Sequence, residues 1–207
     1  MQDEERSMRY SKDRKEETHK KIVEAASKRF RAEGIEKVGV ATLMADAELT
    51  VGGFYSHFKS KEELIKEAVC LAADETFCAA FGDPNSDENL SIKQILDRYL
   101  TPEHRDSPEF GCVIAALASE LRTRPEDTRD MMSDKITRII ARISDCLSTD
   151  ADPATRMRVA GAIWAVMLGT LQLARIIPDK EVSDQLLIDG KANALMLAEK
   201  MPIQEGR

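Results

Sequence analysis

Apolar positions in this chain recur at helical spacing almost from end to end, and no stretch alternates as a half-buried strand would. From about Arg14 to Glu33, Ile22, Ala25, Ala26 and Phe30 fall on one stripe, the stem of Arg29 lies beside them, and Gly34 supplies the stop. Two short segments follow, Val40 to Ala47 and Val51 to Phe58. Ser60 with Glu63 is a capping box opening a helix to about Ala80, and Ser91 with Gln94 opens another through Leu100. Phe110–Thr123, Glu126–Leu147, Pro153–Ile177 and Val182–Met201 complete the set, with Pro125, Pro153 and Pro178 marking breaks. GDPNSDEN (82–89) and TPEHRDSPE (101–109) read as loops. The predicted fold class is all-α, with no internal repeat.

The early helices form a unit of their own. Only Glu48, Leu49 and Thr50 separate the two short segments, which is helix-turn-helix spacing: one helix braces a second whose N-terminal half enters the major groove. Leu43, Ala47, Leu49 and Phe54 are placed to set the crossing angle. Thr50 is a good N-cap whose hydroxyl and neighbouring N–H groups can meet a phosphate. Gly52 and Gly53 cost about 1 kcal/mol each in helix propensity. They also remove bulk where a backbone must approach a surface closely, and a nucleic acid is such a surface. Tyr55 and His57 carry hydrogen-bonding tips, and Lys61 can reach a phosphate from the start of the next helix. Phe54 and Phe58 are expected in the core. His19 and His104 are expected to be solvated.

Charge sharpens the division. The 207 residues carry a net −7. Through Lys61 there are 13 Lys+Arg against 11 Asp+Glu, and the remainder holds 17 against 26. A small domain can bind DNA through a local basic face while its partner domain is acidic. Arg6, Arg9, Lys12, Arg14 and Lys15 alternate with acids in an arm expected to be disordered over 1–13.

Ile22, Ala25-Ala26, Phe30, Gly34, Leu43 and then LTVGGFYSHFKSKEEL (49–64) resemble the N-terminal domain of the TetR/AcrR family of bacterial transcriptional regulators over roughly residues 15–70. The resemblance implies a homodimer, a recognition helix at 51–58 and a variable helical domain that binds a small molecule. It also implies that Thr50, Val51, Gly52 and Gly53 face the groove while Tyr55, His57 and Lys61 meet the DNA backbone. Two positions depart from the family pattern. Glu48 stands where a turn glycine is common, and Gly39 stands where a hydroxyl residue often caps and touches phosphate, a contact that Thr42 is expected to take over. Base readout looks sparse, because valine and two glycines offer no bidentate donors. Specificity is expected from Val51 on a thymine methyl, from DNA shape and from half-site spacing.

The boundary is placed at 66, leaving 67–207 for effector binding and dimerisation. AGAIWAVMLGTLQLARII (160–177) is apolar nearly all round, with small residues that permit close approach, and such a helix must be covered on every side. Val182, Leu186, Leu187, Ala194, Leu195, Ala198 and Met201 give the last helix its own stripe. Helices over about 153–177 and 182–201 are expected to pair across a two-fold axis. Phe77, Phe81, Tyr99, Phe110, Cys112, Trp164, Met167 and Leu168 are candidates to line an effector pocket, the rival reading being plain core. Gly111-Cys112-Val113 followed by AALASEL resembles the effector domain of a branch of the family that includes regulators of electrophile and drug responses. A thiol near a helix N-terminus gains thiolate character, whereas one in mid-core is inert.

Other classes are weighed on the same residues. Cys70, Cys78, Cys112 and Cys146 lie far apart without metal-ligand spacing, so no zinc site and no cofactor is expected, and reduced thiols suit a cytoplasmic protein. The start is charged, unlike a secretory leader, and the uncharged run Val159–Ala174 falls short of the roughly 18 residues of a membrane span. No nucleophile elbow or phosphate-binding glycine loop supports an enzyme. The remaining alternatives are a helical ligand-binding or protein-interaction module that no longer engages DNA, and an activator in place of a repressor.

Overall fold

A computed structural model of the chain describes residues 2–83, 86 and 88–200, with side chains from residue 13 onward. The side chains of Arg6, Arg9 and Lys12, and Met201 of the last stripe, lie outside the described residues. The described residues form helices and no strand. Helix α1 runs Gln2–Glu33, so the arm expected to be disordered continues the helix: no glycine or proline interrupts it before Gly34, whose φ of +90° ends it. Helix α2 is Val40–Asp46, a 3₁₀ helix covers Val51–Ser56, and α3 is Lys61–Phe81. Then come α4 (Ile92–Tyr99), α5 (Pro102–Asp106), a 3₁₀ turn at Pro108–Phe110, α6 (Val113–Leu121), α7 (Glu126–Asp145), α8 (Pro153–Ile176) and α9 (Lys180–Glu199).

The caps explain the boundaries. The Ser60 hydroxyl accepts from the Glu63 N–H at 3.2 Å, while the Glu63 carboxylate reaches one residue further back than a capping box requires, to the Lys59 N–H at 2.6 Å. Ser91 and Gln94 close a full capping box. The segment expected to be a loop at 101–109 is instead mostly helical: Thr101 accepts from the His104 N–H at 3.1 Å, and Pro102 sits where its missing N–H costs nothing. Glu48 does lie in the left-handed region, at φ +59°. Glu48→Gly is expected to raise stability by about 0.5–1 kcal/mol, the relief of left-handed strain less glycine's extra freedom in the unfolded chain, as urea denaturation would show.

One hydrophobic core runs from Ile22, Phe30, Leu43 and Phe54 at the N-terminal end to Phe81, Tyr99, Trp164 and Leu171. Helix α8 contributes Ala160, Ile163, Trp164, Met167 and Leu171 to it and packs along α7 and α9. By length and composition α8 also passes for a membrane span, with a mean hydropathy of 1.5 over 18 residues. Such a window admits Arg158 or Arg175 beside the uncharged run Val159–Ala174, which by itself stays short of a span. Gly190 lets α9 close on α8: a Cβ there would run into Thr170 Cγ2 and lie 2.9 Å from its Cβ. A β-branched side chain cannot swing away cheaply. Gly190→Ala is therefore expected to cost about 1–3 kcal/mol, read as a lowered Tm. The outer faces of these helices stay bare, with Leu173 55% and Ile176 73% exposed on α8 and Val182, Ile188 and Met196 exposed on α9.

Candidate nucleic-acid interface

The helix-turn-helix is set by a charged fork and an aromatic core. Arg29 Nε and Nη2 each donate to Asp46 at 2.7 Å, joining α1 to the end of α2. Bonding to Asp46 holds the guanidinium above its ordinary value, and the same bond holds the Asp46 carboxyl below its own. Arg29 thus contributes its head as well as its stem. Beneath, Phe54 and Phe58 stack at 5.5 Å and are buried with Leu43 and Met44, while Ala47 and Leu49 pack against them half-buried.

The recognition element itself is tighter than the α-helix expected over 51–58. Val51–Ser56 is 3₁₀, and the chain leaves it with the His57 and Phe58 N–H groups both bonded to the Phe54 carbonyl, at 2.9 and 3.0 Å. Two adjacent glycines weaken α-helix propensity in so short a segment, and packing around Phe54 settles it as 3₁₀. Its outer surface is open at Val51, Gly52 and Tyr55. Tyr55 is 73% and Val51 50% exposed, with Tyr55 set edge-on to Phe54. A Cβ built on Gly52 meets nothing within 4 Å, and on Gly53 only Met44 Cε at 3.7 Å and Thr50 Oγ1 at 3.9 Å. Nothing inside the molecule calls for glycine at 52. Thr42 and Thr50 are exposed. Thr50 occupies the N-cap position, but its hydroxyl makes no cap bond, and Gly39 caps α2 with no side chain at all.

Two residues are more committed internally than the sequence suggests. The Lys61 ammonium donates to the Ile35 carbonyl at 2.9 Å, leaving two of its three donors for an outside anion. His57 is half-buried, its Nδ1 lacks a partner, and burial with His19 and Lys15 nearby lowers its pKa. His19, expected in solvent, instead stacks on Phe58 at 4.4 Å and donates to Glu67 at 2.6 Å. Partners 48 residues apart leave no local pattern to read.

The candidate effector residues divide. Trp164 meets Phe81 and Tyr99 in T-shaped pairs at 5.9 and 5.4 Å, Phe81 and Tyr99 lie tilted at 6.3 Å, Phe77 joins Phe81 at 5.6 Å, and Met167 is fully buried with Leu168 half-buried. This is close-packed core. Phe110 stands apart, 64% exposed with the Lys28 ammonium 5.4 Å over its ring. Cys112 is both at the N-cap of α6 and buried, and burial prevails: it pushes the thiol up. The Tyr99 hydroxyl beside it is likewise pushed well up by burial.

His104, expected in solvent, organises this end of the core. Its Nδ1 donates to the Tyr99 carbonyl at 2.6 Å, and its Nε2 accepts the Cys112 N–H at 2.8 Å, which fixes the neutral tautomer. Burial lowers its pKa, so the folded value lies below the unfolded value of about 6.5. The stability it contributes is complete above that unfolded value and is lost as pH falls through the folded one. Between pH 7 and 5 the wild-type Tm is expected to fall more than that of His104→Asn, which cannot titrate; His57 adds the same sign to both. The Thr101-Pro102-Glu103 start signal was the readable trace of this helix. Among the described residues no group of three or more His, Cys, Asp or Glu is placed to hold a metal ion, and the four cysteines are free.

Comparison with known proteins agrees with this architecture. Residues 22–68 match the model for bacterial regulatory proteins of the tetR family, and residues 91–187 match that for the tetracyclin repressor-like C-terminal domain. Among curated proteins no match is found. A TetR transcriptional regulator from Chloroflexus aurantiacus superposes with a TM-score of 0.73 at 22% identity, covering 91% of this chain and 98% of that one. A TetR regulator from Legionella pneumophila gives 0.71 at 20%, covering 86% and 95%. The reduced form of E. coli NemR gives 0.65 at 20%, covering 92% and 100%. With both domain models matched in order along a helix-turn-helix and its helical partner, this chain belongs to the TetR family of bacterial transcriptional regulators, proteins that bind DNA.

Proposed function

We propose that the protein is a homodimeric repressor whose grip on its operator is released by a small molecule held in residues 67–207. The observation that carries the DNA side is the bare recognition element: Gly52 open to solvent, Val51 and Tyr55 exposed beside it, and no internal reason for glycine. In this reading Thr42, Thr50, Val51, Gly52, Gly53, Tyr55, His57 and Lys61 meet the duplex. The exposed apolar faces of α8 and α9 support a two-fold pairing through those helices, which would set two recognition elements about one DNA turn, roughly 34 Å, apart. Such a regulator works in the cytoplasm, where its DNA lies.

For the effector, the burial and raised pKa of Cys112 favour a reversibly bound apolar molecule over an electrophile that needs a thiolate. A ligand shifts the equilibrium only by preferring one state, and a hundredfold preference is worth about 2.7 kcal/mol. Gel-shift titration against the DNA upstream of its own gene tests the reading. Sequence-selective retardation that weakens steeply with salt is expected; retardation indifferent to sequence would contradict it.

A further inference from the structure

We propose that the cleft between α3, α4, α5 and the 108–110 turn is the effector's seat and that Arg31 transmits its occupancy to the DNA-binding domain, an inference that rests on the ligand-controlled repressor reading above. The cleft is about 380 Å³ and is lined by Thr76, Ala79, Arg98, Thr101, His104 and Phe110, among others. That volume takes a molecule of one or two rings. An exposed phenyl ring and an alanine wall favour a planar apolar body, and the Thr101 hydroxyl and Glu103 carboxylate favour a polar atom at its edge, the Arg98 head being held by Glu88 at 2.6 Å. Phe81, Tyr99 and Trp164 are not among its lining residues.

The transmission follows bond by bond. His104, in the cleft wall, holds the Cys112 N–H on Nε2. The chain at Gly111 has no slack, since a Cβ there would lie 2.7 Å from His104 Cδ2 and 2.8 Å from Arg175 Nη2. Displacing the His104 ring therefore displaces residues 111 and 112. The Gly111 carbonyl accepts from Arg31 Nη1 at 3.0 Å and from the Thr76 hydroxyl at 3.3 Å. Arg31 belongs to α1 of the DNA-binding domain; its side chain is 1% exposed and is pinned by Ser27 Oγ at 3.1 Å and Glu75 at 2.7 Å. A buried guanidinium held by four hydrogen bonds cannot follow one partner without shifting the others. On the other side, Arg105 next to His104 donates to the buried Ser183 hydroxyl at 2.8 Å, so the same short helix also braces the inner face of α9.

The test fills the cleft permanently. Ala79→Trp places an indole against the wall, and operator affinity is measured by fluorescence anisotropy on a duplex selected from a random pool by the wild-type protein. Ala79→Trp is expected to weaken binding about tenfold, within the usual span of allosteric coupling, whereas in the Arg31→Lys background the same change is expected to cost less than about twofold. A merely structural role for Arg31 would lower the Tm but leave that ratio at about tenfold. Unchanged or tighter binding by a folded Ala79→Trp dimer overturns the cleft as the seat; equal weakening in both backgrounds overturns Arg31 as the transmitter. Should Arg31→Lys fail to fold, Ser27→Ala loosens the same guanidinium and is expected to reduce the ratio likewise. A wild-type protein that selects no duplex would sink the repressor reading itself, a separate failure.

Discussion

Gly52→Glu is expected to abolish operator binding at concentrations where the wild-type protein binds fully, while the protein stays folded and dimeric. The two halves of that result have different causes. Within the molecule a Cβ at 52 meets nothing within 4 Å, and the position is solvent-exposed in a short 3₁₀ element, so the fold has no stake in the residue and the Tm should move by less than about 2 °C. Against DNA, a carboxylate at the point of closest approach faces phosphates while its bulk holds the backbone off. Like-charge juxtaposition of this kind costs several kcal/mol, and about 2.7 kcal/mol already means a hundredfold loss. Circular dichroism melts with anisotropy titration read both halves. A variant that binds as well as wild type would show that the recognition element lies away from the duplex.

The second large effect is expected at the opposite end of the molecule. Leu173→Glu with Ile176→Glu places two carboxylates on the outer face of α8, where the native side chains are 55% and 73% exposed and so contribute little to the monomer's core. If that face pairs with a second copy, the change removes two apolar anchors worth about 1.5–3 kcal/mol each and buries unpaired charge in addition. Dissociation should strengthen by a factor of about 1,000 or more, giving monomers at micromolar concentration. Operator binding should fall with it, because a monomer offers one recognition element and forfeits the effective concentration of the second. Sedimentation equilibrium that still finds dimers would place the interface elsewhere.

What the sequence disclosed and what it withheld separate along a physical line. Helix existence followed from apolar periodicity and caps, as at Ser91–Gln94, because those signals lie within a few residues of one another. The solvent-facing Gly52, Val51 and Tyr55 were legible for the same reason: helical spacing places Phe54 and Phe58 inward and leaves the others out. The 3₁₀ geometry at 51–56 was not, since the choice between two helical hydrogen-bond patterns rests on packing. His19, Arg31 and His104 were misread or passed over because their partners are Glu67, Gly111 and Cys112, brought close only by the tertiary fold. The aromatic residues of 67–207 illustrate a harder limit. A stripe that closes on itself, as Phe81, Tyr99 and Trp164 do, and a stripe that lines a cavity have the same sequence pattern; Phe110, set apart by the short turn at 108–110, reaches the cleft beside α3, α4 and α5.

In the proposed complex a pair of chains presents two bare recognition elements to one duplex. Native mass spectrometry of the protein with a selected operator duplex measures that directly. The expected spectrum shows an even number of chains per duplex, two in the simplest case, and no complex with Gly52→Glu. A single chain per duplex, or protein that stays free of DNA at low salt, would contradict it.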